Sequence, residues 1–483
     1  MVSAMRNIVD EIEARADRRA VALIEGGRAL TFGDLLELTE AAAAALSVQP
    51  GQRIGLNCPN GTAHIVWSLA VLRRGGVLVP VAPELSPRER DEQARTTGLH
   101  AILSADGKSW HRETPERFSL NVDGLGEAVL QAGLGTDGPP DFDEATLSAL
   151  NPALIRFSSG TTGRRKGVVL SHRTLFDRVT ASNARLGIGP GDRVIWTLPM
   201  AHHFAVSIVL YLLHGATTVI ENSHLGADVH RALVRNRGTV LYASPFHHSL
   251  LAGCAEAAPV PSLRLAVSTA AALPEATARQ FREKLGIPLC QALGIIECGL
   301  PILNDAWPQE KPLAIGRPQP AYSVSLRNAG GKEVADGETG ALFLKGPGFV
   351  DAYLSPWTPQ GAILEDGWFR TGDEAHRDAG GCLFLAGRAH SAINVGGMKC
   401  FPEEIEACLA EHASVREARV MAMAHPLFGS VPAAEIVPVN AAAPPKSGEL
   451  MMHCRERLSG YKVPLRYTMV DSLPRTANGK LLR

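Results

Sequence analysis

Short apolar runs alternate with longer amphipathic stretches along the chain. Thr31, with Asp34 three residues later, predicts a helix start that leads into 35–46, and a second amphipathic stretch covers 63–74. Apolar runs bounded by turn residues predict buried strands at 77–80, 194–198, 240–243, 263–268 and 288–292. Strands separated by helices favour α/β layers built on largely parallel sheets.

The middle of the chain contains two departures from this alternation. The stretch 105–143 is polar and rich in glycine and proline, so loops are predicted there. The turn-forming residues 336–340 precede a short apolar run at 341–345, which predicts a separate β element.

The pattern changes near residue 388 and predicts a second, smaller unit. Its predicted elements are a strand, a helix, two further strands and a helix, at 391–395, from Pro402 onward, and at 415–424, 433–437 and 447–458. About 95 residues are enough for a small α+β domain. We therefore predict a large N-terminal domain over 1–387 and a small C-terminal domain over 388–483.

Composition and charge narrow the class of protein. A chain of 483 residues exceeds what one hydrophobic core usually supports, so more than one domain is expected. A net charge of −1 without a lysine or arginine run argues against nucleic acid or an anionic membrane as a partner. Eight scattered cysteines without a C-x-x-C pair predict free thiols. With no signal sequence or membrane span evident, a cytoplasmic location is expected.

The densest chemistry lies in residues 158–168. Four hydroxyl side chains, three glycines and three cations occur within this segment. Glycines let backbone N–H groups turn toward a ligand, and the hydroxyls and the Lys166 ammonium add donors and charge, so the loop is suited to wrap a polyphosphate. The glycine spacing differs from that of a Walker A loop. Taken alone, the segment also fits a polar hairpin or a surface loop.

Five segments with chemical character occur in a fixed order, at 158–168, 198–204, 291–297, 367–373 with the following Gly387-Arg388 pair, and 474–480. Their sequences and order resemble the adenylate-forming superfamily, which includes acyl- and aryl-CoA ligases, adenylation modules and luciferases. The resemblance covers nearly the whole chain and is strongest to a stand-alone carboxylic acid–CoA ligase. It implies an α/β fold: a large N-terminal domain of layered α/β subdomains with a β element, and a small mobile α+β C-terminal domain.

The resemblance also implies a two-step reaction that uses ATP, Mg²⁺ and coenzyme A. A carboxylate attacks the α-phosphate of ATP and releases pyrophosphate. The acyl-adenylate then transfers its acyl group to a thiol and releases AMP. The residues that would bind the nucleotide and its metal are Ser158, Ser159, Gly160, Thr161, Thr162, Gly163, Lys166, Ala271, Leu293, Gly294, Glu297, Asp373, Arg388 and Lys480.

Each matched residue suits its implied role chemically. Lys166 would hold the leaving pyrophosphate, and Glu297 would bind Mg²⁺, a cation that prefers oxygen ligands. Asp373 would accept hydrogen bonds from the ribose hydroxyls, and Arg388 would contact the nucleotide. Lys480 would bridge the α-phosphate and the substrate carboxylate, whose negative charges repel each other. Considered singly, these residues also fit ordinary turn or surface positions.

The implied acid pocket is lined by His202, His203, Phe204, Ala243, Phe246 and Cys298. The segment 203–207 carries no carboxylate that would pair with a substrate amine, so an apolar acid, fatty or aromatic, is expected. His202 matches a histidine near the acyl group and joins Lys166, Glu297 and Lys480 as an implied catalytic residue. A core or surface histidine is the alternative.

The small domain would swing about a hinge near Ser391. Lys480 would be brought in for adenylation, and the strand ending at Gly396 and Gly397 would replace it on the side where CoA attacks. These roles are implied by the resemblance alone.

Several positions depart from the superfamily pattern. Leu293 stands where an aromatic residue usually stacks on adenine, and Ile296 stands where a threonine hydroxyl is usual. The run 269–272 replaces Gly-Gly-Ala-Pro, and Arg165 replaces a proline. Three hypotheses therefore remain: an acid–CoA ligase, an adenylation enzyme that loads a carrier protein, and a degenerate nucleotide-binding member with weak or no turnover.

Overall fold

The computed structural model describes residues 7–105, 116–133, 142–158, 166–271, 273–388 and 393–474. The chain forms two compact units. The larger comprises 1–83, 94–156 and 167–387, and the smaller comprises 84–93, 157–166 and 388–483. The smaller unit thus gathers two short segments from the first half of the chain together with the C-terminal part.

Strands and helices alternate through the chain up to residue 388. The strands are β1 Val21–Glu25, β2 Arg28–Thr31, β3 Arg53–Asn57, β4 Val77–Val81, β5 Ala101–Ser104, β6 Glu116–Val122, β7 Gly126–Ala132, β8 Pro152–Ser158, β9 Lys166–Ser171, β10 Arg193–Trp196, β11 Thr217–Ile220, β12 Val240–Ala243, β13 Leu265–Ser268, β14 Leu289–Ile295, β15 Gly299–Leu303, β16 Arg317–Pro318, β17 Ser323–Arg327, β18 Gly340–Lys345, β19 Ala352–Tyr353, β20 Thr358–Pro359, β21 Phe369–Arg377 and β22 Leu383–Arg388. The helices are α1 Ile8–Arg15, α2 Phe32–Ala45, α3 Thr62–Arg73, α4 Pro87–Thr97, α5 Glu144–Ala149, α6 His172–Leu186, α7 Met200–His203, α8 Val209–Leu213, α9 Gly226–Arg235, α10 Pro245–Gly253, α11 Glu275–Leu285 and α12 Gln360–Ile363. A π-helical segment, Phe204–Ile208, joins α7 to α8.

One large sheet has the strand order β16-β15-β14-β13-β12-β10-β11-β1-β2 among the described residues. Neighbouring strands from β14 through to β1 pair in parallel, and the pairs at both edges are antiparallel. The residues of β11 and β12 are all buried, as expected for strands covered on both faces. The predicted α/β layering is confirmed.

A second large sheet has the order β20-β19-β9-β8-β4-β3-β5-β7-β6. The prediction of loops throughout 105–143 is wrong, because β6 and β7 form an antiparallel hairpin beside β5. Strand β6 is mostly exposed and lies at the edge of the sheet, so most of its residues can be polar. The alternation of apolar and polar residues that predicts a strand is therefore missing from its sequence. The predicted β element at 341–345 is β18, within a smaller sheet of order β17-β18-β21-β22.

Local sequence explains how several helices begin and end. The predicted helix start at Thr31 is confirmed: its hydroxyl accepts from the Asp34 backbone N–H at 3.1 Å, and the Asp34 carboxylate accepts from the Thr31 N–H at 2.8 Å. Helix α6 ends at Gly187, whose φ of +57° is left-handed. No helix in the described ranges combines the length and apolar character needed to cross a bilayer.

The smaller unit is an α+β arrangement. Its elements in the C-terminal part are β23 Ile393–Val395, β24 Met398–Cys400, α13 Pro402–Ala410, β25 Val415–His425, β26 Gly429–Pro438, α14 Ser447–Arg455 and β27 Arg466–Met469. The strand order is β24-β23-β26-β25, with β27 parallel to β26. Ile405 and Leu409 of α13 and Leu450 of α14 pack into the core of this unit.

A buried ion cluster ties the segment 84–93 into this unit. The Lys462 ammonium contacts Glu89 and lies 2.9 Å from a Glu404 carboxylate oxygen. Lys462 and Glu89 each expose only 3% of their side chains. The Ser459 hydroxyl donates to the second Glu89 oxygen at 2.6 Å. Because buried charges are costly unless paired, this cluster depends on all of its members.

Lys462→Met is expected to destabilise the smaller unit by about 3–5 kcal/mol, because it leaves two largely buried carboxylates without their cation. Urea unfolding followed by circular dichroism measures the loss. The matched control is Glu411→Gln, which breaks the exposed Arg88–Glu411 pair and should cost at most about 1 kcal/mol. Equal losses of unfolding free energy for the two variants would show that burial does not determine how much the Lys462 ion pairs contribute to stability.

Candidate active site

Several segments that carry predicted site residues follow neighbouring strands of the parallel sheet. Strands β10, β12 and β13 pair in parallel, so their carboxyl ends lie at the same edge. The histidine segment follows β10, Phe246 follows β12, and Ala271 follows β13. Ligands of open parallel sheets bind at this edge. Beside Ala271, Ala270 has a φ of +71°, a left-handed conformation that favours glycine.

The hydroxyl-rich segment lies in the chain between two adjacent strands, β8 and β9. Ser158 is the last residue of β8, and the half-buried Lys166 is the first residue of β9. The residues between them, 159–165, lie outside the described part of the chain and include the predicted Ser159, Gly160, Thr161, Thr162 and Gly163.

The histidine segment is fixed at its N-terminus. The Asn60 side chain donates to the Leu198 carbonyl at 2.9 Å and accepts from the Met200 N–H at 2.8 Å. Helix α7, which carries His202 and His203, then passes directly into the π-helical segment that begins at Phe204. Both histidines are half-buried, whereas Phe204 is buried. π-Helical turns are frequent at functional sites because they displace side chains from the regular helical positions.

The segment after β12 adds an apolar and a polar face. Ala243 is fully buried at the end of β12, and Phe246 is half-buried at the start of α10. The next residue, His247, shares hydrogen bonds with Ser244 at 2.8 Å and with His224 at 3.0 Å. The pKa of His247 is lowered to about 3, mainly by burial and to a smaller extent by the neighbouring His224 and His248. This imidazole is therefore neutral at physiological pH.

Glu297 occupies the turn between β14 and β15. Its backbone carbonyl accepts from the Val350 N–H at 2.7 Å and from the Arg178 guanidinium at 3.3 Å. The Arg178 guanidinium also donates to the carbonyls of Ile296 at 2.8 Å and Gly348 at 2.7 Å. Arg178 is fully buried, and burial lowers its pKa. Three carbonyls are therefore held by one buried cation, which fixes the path of the turn.

Two predicted site residues near this turn are packed inside the protein. Leu293 lies opposite Ile302 in the β14–β15 pair and is only 9% exposed. Cys298 is fully buried in the same hydrophobic cluster, and burial raises the pKa of its thiol. Gly294 is half-buried on β14 beside them. This packing leaves Leu293 little surface for a ligand in the arrangement described.

Asp373 lies on β21 in the smaller sheet of the larger unit and is 2% exposed. Its backbone N–H donates to the Thr371 hydroxyl at 3.0 Å, and that hydroxyl donates to the Leu342 carbonyl at 3.0 Å. A buried carboxylate needs hydrogen-bond donors, and the vicinal hydroxyls of a ribose are suitable ones.

Several predicted residues cannot be placed. Ser391 and Lys480 lie outside the described residues, and the side chains of Ser158 and Arg388 are not described, although both residues end strands.

In the smaller unit, Gly396 and Gly397 form the turn between β23 and β24, with φ values of +59° and +101°. Both values require the left-handed region, which accounts for the glycine pair.

Three residues beside Glu297 escaped sequence reasoning. Arg178 faces the core from α6, where a charge among apolar neighbours was an available signal. The Tyr353 hydroxyl donates to the Glu297 carboxylate at 3.2 Å. The two residues are far apart in the chain, so the local sequence does not predict this contact. Arg156, on β8, has no hydrogen-bond partner for its Nε atom within the described part of the chain. Burial lowers the pKa of Arg156 to about 10, and the negative charge of Glu297 offsets part of this shift.

The donor set at Glu297 is compatible with a magnesium ion carried by a nucleotide. Mg²⁺ commonly takes one or two protein carboxylates and completes its coordination with phosphates and water. Glu297 supplies one half-buried carboxylate. No group of three or more His, Cys, Asp or Glu side chains suited to a metal occurs among the residues described. An ion held by Glu297 would complete its coordination with phosphate oxygens and water.

Parallel α/β layers with functional segments after the carboxyl ends of the strands are typical of nucleotide-binding α/β enzymes. Sequence comparison identifies the family. Residues 10–354 match the profile of the AMP-binding enzymes, and residues 404–480 match that of the AMP-binding enzyme C-terminal domain. The first match spans well over half of the chain, so the chain belongs to the AMP-binding enzyme family, and the predicted superfamily is confirmed.

Several proteins that match this chain over nearly their whole length are named as CoA ligases. The chain is 30% identical to a sulfoacetate–CoA ligase of Cupriavidus necator over 479 residues, covering 95% of this chain and 92% of that enzyme. It is 28% identical to a feruloyl-CoA synthase of Amycolatopsis over 484 residues, covering 97% and 96%. A solved o-succinylbenzoate–CoA synthetase of Bacillus subtilis, bound to a product analogue, has a TM-score of 0.83 at 26% identity, covering 99% and 98%. The predicted fold class and the acid–thiol ligase class are confirmed.

Proposed function

We propose that this enzyme activates a carboxylic acid with ATP and transfers the acyl group to coenzyme A, releasing AMP and pyrophosphate. The observation that carries the proposal is the end-to-end similarity to enzymes named as CoA ligases, which extends over 92% or more of the relatives' length in the two cases above. The AMP-binding profile and the C-terminal domain profile cover the two parts that the reaction needs.

The chain's own residues support the adenylation step. The loop before Lys166 and the Lys166 ammonium would hold the β- and γ-phosphates, and Asp373 would hold the ribose. Glu297 would bind Mg²⁺, which when bound neutralises phosphate charge. Arg388 would contact the nucleotide. Lys480 would draw the substrate carboxylate toward the α-phosphate, since an ammonium offsets the repulsion between two anions.

The proposed acid is apolar, either fatty or aromatic. Phe246 is half-buried at the start of α10, just after β12, and would contribute apolar surface to the pocket. Phe204 and Ala243 are buried apolar residues of the segments that follow β10 and form the end of β12. His202 and His203 directly precede Phe204 in the chain and would supply polar groups to the pocket. The named relatives act on acids as different as sulfoacetate and ferulate, so the tail of the acid is decided by this chain's own pocket.

The division into parts and the location of the enzyme are also proposals. We propose a large domain over 1–387 and a small domain over 388–483 that turns about a hinge near Ser391. The turn at Gly396 and Gly397 would serve the CoA-binding state. A cytoplasmic location is proposed because all eight cysteines are free thiols.

A screen of pyrophosphate release over a panel of fatty, aromatic and short polar acids tests the proposal. We expect AMP and pyrophosphate with at least one apolar acid, and acyl-CoA when CoA is present. ADP and phosphate as products would contradict it. Acylation of a carrier protein without any acyl-CoA would instead identify a carrier-loading enzyme. No product over the whole panel would identify a degenerate member.

A further inference from the structure

A tyrosine hydroxyl holds the carboxylate of Glu297. The Tyr353 hydroxyl donates to the Glu297 Oε1 atom at 3.2 Å, and both side chains are half-buried. An ordinary phenol carries its proton at physiological pH, so the Tyr353 hydroxyl acts as a donor to the carboxylate.

Tyr353 belongs to β19, the strand that pairs with β9. In the antiparallel pair of β19 and β9, Tyr353 lies opposite Val168. The Leu354 N–H donates to the Gly167 carbonyl at 2.7 Å. This pairing fixes Tyr353 on the strand beside β9.

The segment before Tyr353 holds the other end of Glu297. The Val350 N–H donates to the Glu297 carbonyl, and the Asp351 carboxylate accepts from the Ser171 N–H at 2.7 Å and the Thr174 hydroxyl at 2.9 Å. The backbone and the carboxylate of Glu297 are therefore both attached to one segment, which is itself anchored to β9 and α6.

We propose that Tyr353 is a positioning residue that aims the Glu297 carboxylate at the magnesium ion of Mg–ATP. The inference deepens the proposed function and rests on it. Carboxylates that ligate metals are themselves oriented by hydrogen bonds, and loss of such a partner commonly lowers metal affinity 10- to 100-fold. A free Glu297 side chain would populate other rotamers, and each would have to be abandoned when the ion binds.

Calorimetric binding of ATP to the full chain tests this role without turnover. ATP affinity is measured with saturating Mg²⁺ and again with EDTA, and the ratio gives the gain that Mg²⁺ provides. Tyr353→Phe is expected to reduce this gain about tenfold while affinity in EDTA stays unchanged. The matched control is Tyr322→Phe, which removes a hydroxyl that donates to the carbonyls of Cys298 and Pro347 and which should keep the full gain.

A double-mutant cycle shows whether Tyr353 acts through Glu297. Glu297→Gln should lose most of the gain from Mg²⁺, and adding Tyr353→Phe should cause no further loss. The positioning role alone is overturned if folded Tyr353→Phe shows the wild-type gain in ATP affinity from Mg²⁺. It is also overturned if Tyr353→Phe lowers this gain by the same factor in the Glu297→Gln background. A wild-type gain in Glu297→Gln overturns the proposed metal ligand as well. Should Tyr353→Phe not fold, p-fluorophenylalanine at position 353 replaces it, with p-aminophenylalanine, which retains a donor, as the rescue.

Discussion

Lys480→Ala is expected to slow acyl-adenylate formation by a factor of about 30 to 1,000, equivalent to about 2–4 kcal/mol of lost transition-state stabilisation. The ammonium is proposed to contact the α-phosphate and the carboxylate during adenylation only. Transfer from a supplied acyl-adenylate to CoA should therefore proceed at close to the wild-type rate. The two half-reactions are measured separately, by pyrophosphate release and by acyl-CoA formation.

Lys332→Ala provides the control for this experiment. Lys332 is an exposed lysine between β17 and β18, away from the proposed chemistry, and its replacement should leave both half-reactions unchanged. Equal losses in both half-reactions for Lys480→Ala would contradict a role confined to adenylation.

Arg178→Met is expected to lower the free energy of unfolding by about 3–5 kcal/mol. The substitution keeps an extended apolar side chain but removes the donors that bind the carbonyls of Ile296, Glu297 and Gly348. Urea unfolding followed by tryptophan fluorescence measures this loss. Because the Glu297 turn loses its anchor, adenylation should fall as well in the fraction that remains folded.

Arg173→Met on the same helix is the matched control. Arg173 is largely exposed and pairs with Asp177 one turn further along α6. Exposed pairs of this kind contribute little, so the unfolding midpoint should scarcely move. Comparable destabilisation by the two substitutions would mean that the helix, and not the buried carbonyl contacts, explains the effect at Arg178.

Local pattern was sufficient to predict most of the fold. The capping residues at Thr31 and the apolar runs that form β4, β10 and β12 follow from neighbouring residues, which the sequence shows directly. Strand β6 was missed because an edge strand with a mostly exposed surface lacks an apolar pattern. Edge strands gain their structure from the partner strand, here β7, and this pairing is not visible in either segment alone.

The candidate site was predictable as a set of segments but not as a set of contacts. Lys166 and Glu297 could be named because their neighbours form recognisable motifs. Tyr353 and Arg178 could not be connected with Glu297, since their contacts join residues more than fifty positions apart. The burial of Leu293 likewise depends on the register between β14 and β15, which sets the face it occupies.

Transfer of ¹⁸O from the substrate carboxylate tests the central claim most directly. The enzyme is incubated with ATP, CoA and an accepted acid whose carboxylate carries ¹⁸O in both positions, and the nucleotide product is analysed by mass spectrometry. If the carboxylate attacks the α-phosphate and CoA then displaces the adenylate, each AMP formed should carry one ¹⁸O atom and pyrophosphate should carry none. Unlabelled AMP, or label in inorganic phosphate formed with ADP, would contradict an acyl-adenylate intermediate.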